Sequence, residues 1–194
     1  RESITKYVAI GGKSPLFTFV PDDAKYKAPK VYGTNFAENK KLAQQLLKEA
    51  GYPGGKGFPV LSLKYNTKEN HKKIAETLQQ MWKDNLGITV NLQNEEWSVF
   101  LNSRNKGDFE IARNAWVADF LDPFTYLEME KTGNSHNYGR WSNQKYDALL
   151  DKAVRETNDA KRFKLYAEAE KILLEEAVVI PVFQDAHAFL LNPK

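Results

Sequence analysis

The chain has 194 residues, of which 42% are hydrophobic and 27% are charged, and it contains no cysteine. No apolar run approaches the roughly 20 residues of a membrane-spanning helix, and the lack of cysteine excludes disulfides, zinc–thiolate sites and thiol nucleophiles. The 28 basic residues are nearly balanced by 25 acidic ones spread along the chain, so the sequence has no basic patch that would indicate nucleic-acid binding.

The first 34 residues are rich in glycine, proline and lysine and carry only short apolar runs. This composition predicts an extended lead-in and hinge segment over residues 1–34. The chain begins with Arg1 rather than methionine, and we expect that processing or cloning removed something upstream. Regular periodicity begins after residue 34, so residues 35–194 are predicted to form one α/β lobe.

Glycines mark the ends of three predicted helices. The first covers residues 39–51 and ends at Gly51, the second covers residues 66–87 and ends at Gly87, and the third ends at Gly107. Glycine is favoured there because the residue after a helix often adopts a left-handed conformation. Asn66 and Thr67 are N-cap candidates for the second helix because short polar side chains can accept its first backbone N–H groups.

Short apolar segments alternate with these helices. Residues 59–65, 88–93 and 109–116 each show the composition of a strand. Strand, helix, strand, helix and strand in succession predict right-handed βαβ units. The sequence therefore predicts an α/β fold with a mostly parallel sheet flanked by helices.

The last third of the chain is predicted to be mainly helical. Asp122 followed by Pro123 is typical of an N-cap and the first helical position. Two longer helices are predicted to begin at Ser142 and near Asp159, on the basis of apolar residues at helical spacing. Residues 177–183 and residues 187–191 are predicted to be closing strands.

The three histidines of the sequence are candidate metal ligands. His71, His136 and His187 are far apart in sequence, and none has a second ligand type at metal-binding spacing. A solvated or structurally satisfied histidine is therefore favoured at each position, and no metal or cofactor is expected. The sequence also lacks a GxSxG nucleophile motif and a glycine-rich phosphate loop.

Carboxylates cluster around one tryptophan. Asp119, Asp122 and Glu128 lie near Trp116, and two carboxylates beside an aromatic ring are also found in glycosidases. The structural alternatives are a helix cap at Asp122, a solvated helix residue at Glu128 and a core ring at Trp116. Asp119 has no capping role of this kind, so it stays a candidate functional residue.

Arg113 interrupts an otherwise apolar predicted strand. A half-buried guanidinium there needs an anionic partner. Arg104 and Asp119 lie nearby in sequence, together with Trp97 and Trp116. This combination indicates a site for a ligand with one positive and one negative end, such as a peptide.

Several segments resemble one family in the same order along the chain. They include KKLAQQLLKEAGY, NEEWSVFLNSRNKGDFEIARNAWVADFLDP, NYGRWSNQKYDALLDKAV and YAEAEKILLEEAVVIPVF. This series is similar to the periplasmic oligopeptide-binding proteins that serve ABC importers. The resemblance implies a periplasmic-binding-protein-like lobe, and the chain looks like a carboxy-terminal lobe without its amino-terminal lobe and signal peptide.

The resemblance also implies roles for four charged residues. Asp119 would hold the α-ammonium group of the peptide. Arg113 and Arg104 would serve the carboxylate end for particular peptide lengths, and His71 would serve longer peptides.

The resemblance also implies that two tryptophan side chains and a stretch of backbone contact the peptide. Trp97 and Trp116 would line side-chain pockets. The backbone at Ala115 and Val117 would pair with the peptide as an added strand. Some relatives carry cysteine at the position of Val117, but a backbone contact tolerates that change.

The function implied by the resemblance is delivery of short peptides to a membrane permease. The receptor would be a monomer without catalytic activity, located in the periplasm or lipid-anchored outside a Gram-positive cell. A relative tuned to a murein peptide, a dipeptide or a nickel complex is the alternative within the family. A carbohydrate-active enzyme using Asp119 and Glu128 is the alternative from another class.

Overall fold

The computed structural model describes residues 1–22 and 25–186 of the chain. Helices and strands alternate in its middle, and helices dominate its carboxy-terminal part. The elements in chain order are α1 (Glu2–Tyr7), β1 (Ser14–Pro15), α2 (Phe36–Glu49), β2 (Leu61–Asn66), α3 (Glu69–Leu86), β3 (Val90–Glu95), α4 (Trp97–Lys106), β4 (Ile111–Ala112), α5 (Phe124–Leu127), α6 (Gln144–Arg155), α7 (Asp159–Glu175) and β5 (Phe183–Gln184), with 3-10 turns at Pro53–Gly55 and Glu128–Glu130.

A parallel sheet in the order β3-β2-β4 forms the centre of the α/β part. Strand β2 pairs with β3 from Leu61 opposite Val90 onward, and with β4 from Leu63 opposite Ile111. Helix α3 connects β2 to β3, and α4 connects β3 to β4. The predicted α/β fold with a parallel sheet flanked by helices is therefore confirmed.

The third strand is shorter than predicted. Residues 109–116 were expected to be extended in one strand, but regular pairing covers only Ile111–Ala112. The backbone N–H of Arg113 still donates to the carbonyl oxygen of Lys64 at 2.8 Å. The chain then leaves the sheet, so Arg113 lies at the end of the strand and not inside it.

The predicted helix ends are confirmed at three glycines. Gly51, Gly87 and Gly107 have φ values of 92°, 70° and 74°, in the region that glycine adopts without steric cost. At Gly87 a second requirement applies, since an added Cβ would lie 2.2 Å from the carbonyl oxygen of Gly54. Only glycine lets the end of α3 approach this turn so closely.

The predicted start of α3 is wrong. Lys68, and not Asn66 or Thr67, occupies the N-cap position, and its side chain makes no capping hydrogen bond. Asn66 is the last residue of β2 and pairs with Glu95. The Thr67 hydroxyl lies 2.9 Å from the side-chain oxygen of Asn94. Asn66 is therefore part of the sheet and the Thr67 hydroxyl bonds to a residue of β3, so neither residue caps α3.

Asparagines cap the two long carboxy-terminal helices. The Asn143 side chain accepts from the backbone N–H groups of Lys145 and Tyr146, so α6 is capped by Asn143 and not by Ser142. The Asn158 side chain accepts from the N–H of Lys161 at the start of α7. Both helices lie where the apolar spacing predicted them.

The amino-terminal segment differs from the extended hinge that was expected. Residues Glu2–Tyr7 form helix α1. Val20, Tyr26 and Ala28 are buried in the larger apolar core, where they pack with residues of α6 and α7. Division of the chain at residue 34 stays a prediction, but these residues are part of the folded core.

Two apolar clusters stabilise the structure. The larger one joins the amino-terminal segment to α5, α6 and α7, and its largest buried side chains are Tyr26, Tyr146 and Tyr166. The smaller one lies between α3 and the parallel sheet and contains Leu63, Tyr65, Ala75 and Val90. Leu63 and Tyr65 share one face of β2, as the alternation predicted, with Leu61 packed against them.

The closing strands are only partly described. Of residues 177–183, only Phe183 falls in a strand, β5, which pairs antiparallel with β1. The second predicted closing strand, residues 187–191, lies outside the described residues, as does His187. No helix in residues 1–22 and 25–186 is long and apolar enough to cross a membrane.

Candidate functional site

The candidate site begins at the carboxyl edge of the parallel sheet. Because β2, β3 and β4 are parallel, the segments that follow them leave from the same edge, where α/β proteins commonly bind ligands. His71 lies in the first turn of α3, Trp97 is the first residue of α4, and Arg113 directly follows β4. The fold thus brings three of the predicted site residues to one edge.

Arg104 is held by neutral groups. Its guanidinium donates to the Asn114 side chain at 2.9 Å and to the Tyr138 hydroxyl at 3.2 Å. It also lies over the Tyr138 ring, 4.1 Å from the ring centroid. The Nε atom is buried without a hydrogen-bond partner. This cation is therefore positioned but not neutralised by these contacts.

Arg113 is a half-buried cation next to another cation. Burial and then the proximity of Arg104 lower the pKa of the Arg113 guanidinium, and Asp185 partly offsets this effect. The ion pairs of the described residues do not include Arg113. In the described part of the chain, Asp185 is the anionic group that acts on Arg113, and it offsets the effects of burial and of Arg104 only in part.

His71 belongs to the same electrostatic environment. Burial and then the charge of Arg113 lower the pKa of His71 below its usual value. The imidazole is therefore mostly neutral at neutral pH, and its Nδ1 atom is buried without a hydrogen-bond partner. Arg104 and Arg113 accordingly form one positively charged region beside the neutral His71, and Arg104 and His71 each keep one buried nitrogen without a hydrogen-bond partner.

Trp116 and Asp119 line an open pocket of about 320 Å³. The Trp116 ring makes an edge contact with His136, with 4.9 Å between the ring centroids, and the Trp116 Nε1 atom is buried without a partner. The other lining residues come from the turn after α5 and the loop that follows it. They are Glu128, Met129, Asn134, Ser135 and His136.

Asp119 is exposed at the rim of this pocket. Its backbone N–H donates to the Thr125 hydroxyl at 3.2 Å, which anchors the main chain. Its carboxylate has no hydrogen bond or ion pair with the residues that the structure describes. A free carboxylate on an anchored backbone can receive a cationic group of a ligand.

Asp122 has a structural role at the start of α5, although the N-cap position is occupied by Pro123 and not by Asp122 as predicted. Its carboxylate accepts from the backbone N–H of Phe124 at 3.0 Å and pairs with Arg162. Pro123 has helical backbone angles. The carboxylate of Asp122 is thus occupied by the start of α5 and by α7.

The backbone from residue 114 to residue 118 is available for pairing. Strand β4 lies at an edge of the sheet, and Ala115 and Val117 are exposed. Within the described part of the chain, the N–H and carbonyl groups of residues 114–118 make no backbone hydrogen bonds. An extended ligand can add to such an edge as a further strand.

The two tryptophans have different aromatic neighbours. Trp97 is 48% exposed and stacks on Phe100 with 6.2 Å between ring centroids. Trp116 contacts His136 instead. No ring contact between Trp97 and Trp116 is present among the described residues, and their role as walls of side-chain pockets stays a prediction.

His136 has no predicted functional role from the sequence, but in the structure it lines the pocket. Tyr138, which the sequence interpretation did not single out, supports Arg104 outside this pocket. Both lie in a loop that packs against the site from more than 15 residues downstream, and no local motif marks them. Among the described residues, no group of three or more His, Cys, Asp or Glu side chains could hold a metal ion.

A family model for bacterial extracellular solute-binding proteins, family 5 (Middle), matches residues 1–138. The chain is 38% identical over its whole length to the periplasmic murein peptide-binding protein MppA of Escherichia coli K12. It is 37% identical to the dipeptide-binding protein DppE of Bacillus subtilis 168 over 94% of the chain. It spans 36% of MppA and 35% of DppE.

The fold agrees with solved structures of similar proteins. A structure of Haemophilus influenzae OppA in complex with RPPGFSPFR superposes with a TM-score of 0.85 and 33% sequence identity, covering 94% of this chain and 36% of that chain. The resemblance seen in the ordered sequence segments is thus confirmed. The chain belongs to the bacterial extracellular solute-binding proteins of family 5.

Proposed function

We propose that this chain is part of an extracytoplasmic receptor that binds short peptides and delivers them to the permease of an ABC importer. The receptor is a monomer in the periplasm, or is lipid-anchored outside a Gram-positive cell, and it catalyses no reaction. The observation that carries the proposal is the presence at one site of a carboxylate, Asp119, without a partner among the described residues, and of two guanidinium groups. Arg104 is held by neutral side chains, and the charge of Arg113 is offset only in part by Asp185. A peptide supplies the complementary charges at its two ends.

The spacing of these charges suits a short extended ligand. Arg113 and Asp119 are six residues apart, so their Cα atoms are at most about 20 Å from each other. Between them, Ala115 and Val117 expose main-chain groups without backbone partners. Pairing with these groups provides affinity independent of the peptide sequence, and the terminal charges provide register and direction.

The ligands of the relatives, as given by their names, support the ligand class. MppA is named for a murein peptide, DppE for dipeptides, and OppA of Haemophilus influenzae was solved with RPPGFSPFR. The ligands share an amino group, amide bonds and a carboxylate, and differ in length and side chains. A murein-peptide, dipeptide or nickel-complex receptor is the alternative within the family.

One observation also fits a carbohydrate-active enzyme. Asp119 and Glu128 line the same pocket beside Trp116, as two glycosidase carboxylates would. The family and the relatives are solute-binding proteins, which favours the receptor. Turnover of glycosides by the full-length protein would support the enzyme instead.

The experiment is a double-mutant cycle on the amine anchor. In the full-length receptor, Asp119→Ala should weaken peptide binding by at least about 30-fold, because removing one partner of a desolvated charge pair costs about 2–5 kcal/mol. The melting temperature of the unliganded protein should change little, since the carboxylate has no partner in the described part of the chain. Isothermal titration calorimetry and thermal melting measure the two effects.

N-acetylation of the peptide is the second arm of the cycle. It should weaken binding to the wild type by a similar factor and binding to Asp119→Ala much less, because both changes remove the same charge pair. Additive losses would show that Asp119 is not the amine anchor. The site would then have to be assigned around another acidic residue.

A further inference from the structure

The pocket beside Asp119 contains a second carboxylate that the proposed function does not use. Glu128 begins the 3-10 turn Glu128–Glu130 directly after α5 and lines the same 320 Å³ pocket as Asp119. One carboxylate is sufficient for the α-ammonium group of a peptide. The second carboxylate is therefore available to a different part of the ligand.

Glu128 is not neutralised by its neighbours. Lys131 lies three residues later and could have paired with it, but pairs with Asp151 instead. Within the described part of the chain, no lysine or arginine lines the pocket, and the Glu128 carboxylate has no ion pair or hydrogen bond there. Its negative charge is therefore available to a ligand.

The other walls suit a long side chain with a cationic end. Trp116 and His136 form an aromatic corner, and Met129 adds apolar surface to the lining. The hydrocarbon stem of lysine or arginine packs on apolar surface while the charged end reaches an acidic or aromatic group. The pocket thus combines a surface for the stem with an acceptor for the charge.

We propose that Glu128 makes this pocket a subsite for a lysine or arginine side chain at the first position of the bound peptide. This inference rests on the proposed function, in which Asp119 holds the α-ammonium group. The two carboxylates would then bind the two cationic groups of one residue. Peptides that begin with a neutral residue bind without this contact, and peptides that begin with an acidic residue are disfavoured by like charge.

The test uses tripeptides that differ only at their first residue. Lys-Ala-Ala, norleucine-Ala-Ala and Glu-Ala-Ala share the backbone and both termini, and norleucine has an unbranched aliphatic side chain without charge. Calorimetry on the full-length wild-type receptor should give about tenfold tighter binding of the lysine peptide than of the norleucine peptide, as expected for a partly enclosed ion pair. The glutamate peptide should bind most weakly.

Two variants assign the preference to Glu128. In Glu128→Gln the lysine preference should fall to about twofold or less through loss of lysine binding, with norleucine binding unchanged. Glu168→Gln, which removes one negative charge from an exposed position of α7, should behave as the wild type. Glu128→Lys should reverse the preference and favour the glutamate peptide.

The outcomes distinguish this inference from the proposed function. Equal binding of all three peptides by the wild type, or an unchanged lysine preference in Glu128→Gln and Glu128→Lys, would overturn the subsite and leave peptide binding intact. Absence of binding by every tripeptide and by longer peptides would overturn the proposed function and the subsite together.

Discussion

Among single residues, Arg104 and Arg113 give the clearest prediction about ligand length. They lie in one positively charged region, but Arg104 is held at the end of α4 by Asn114 and Tyr138, whereas Arg113 follows β4. Their charges therefore lie at different distances along an added strand. In the full-length receptor, each Ala substitution should weaken peptides of some lengths by about tenfold or more and others by much less.

Titration of peptides of two to five residues measures this dependence. Arg155→Ala is a matched control, because Arg155 is exposed in the last turn of α6. It should leave all lengths unchanged. Equal losses at every length in Arg104→Ala and Arg113→Ala would indicate that the arginines hold the end of the strand and do not bind the ligand.

The sequence could indicate some site residues but not the complete pocket. Asp119 was a candidate because Asp122 was better placed to cap α5, and the Asp122 side chain does accept from the backbone of that helix. His136 could not be selected, since its contact with Trp116 depends on how the loop after α5 folds back. Glu128 had two interpretations until the pocket placed it beside Asp119.

At the scale of elements, one buried carboxylate connects the amino-terminal segment to α7. Glu170 accepts from the backbone N–H groups of Phe19 and Val20 at 2.7 and 2.9 Å and from the Tyr26 hydroxyl at 2.5 Å. Glu170→Ala would remove the acceptor of these buried donors and should lower the free energy of unfolding of this chain by about 3 kcal/mol or more. Chemical denaturation measures this loss.

The loss of stability in Glu170→Ala should depend on pH, because the Glu170 carboxyl group titrates in the folded state. Burial raises the pKa of Glu170 to about 7 from its usual 4.5, although Tyr26, Val20 and Phe19 oppose the shift. The folded state therefore binds a proton more tightly than the unfolded state, and this contribution to stability is lost as pH rises from about 4.5 to about 7. The cost of Glu170→Ala should consequently be smaller at pH 8 than at pH 5.

Glu168→Ala is the matched control on the same helix. Glu168 is exposed, so its substitution should change the free energy of unfolding by less than about 0.5 kcal/mol. A cost of Glu170→Ala that is the same at pH 5 and pH 8 would contradict the proposed protonation, and a cost below about 1 kcal/mol would contradict the structural role.

Helix ends were predicted more accurately than helix starts. Gly51, Gly87 and Gly107 end their helices through a local backbone requirement that the sequence shows directly. The start of α3 depends on the pairing of Asn66 with Glu95, which is a contact between distant parts of the chain. The link from Glu170 to Phe19 is likewise 151 residues long and leaves no periodic signal.

At the scale of the whole molecule, folding and binding should separate. Two apolar cores and the contacts of Tyr26 with α7 lie within this chain, so it should unfold in a single cooperative transition without other parts of the receptor. We predict that the amino-terminal segment folds with that unit, because Val20, Tyr26 and Ala28 are in the larger core. Removal of residues 1–34 should therefore lower the melting temperature of the remaining chain.

Peptide affinity should be weak even though the fold is intact. The chain spans 36% of MppA, and its pocket beside Asp119 is open, so a bound peptide keeps much of its surface in water. Charge pairs in such a setting contribute only about 0–1 kcal/mol each. Calorimetry with this chain should therefore give dissociation constants larger than about 1 μM, which corresponds to a binding free energy of about −8.2 kcal/mol. The peptides used should be ones that the full-length receptor binds more tightly. Equal affinity of the two proteins would show that the described edge alone provides the binding site. The assumption that the full-length receptor removes water from the pair of Asp119 and the peptide ammonium group would then be wrong.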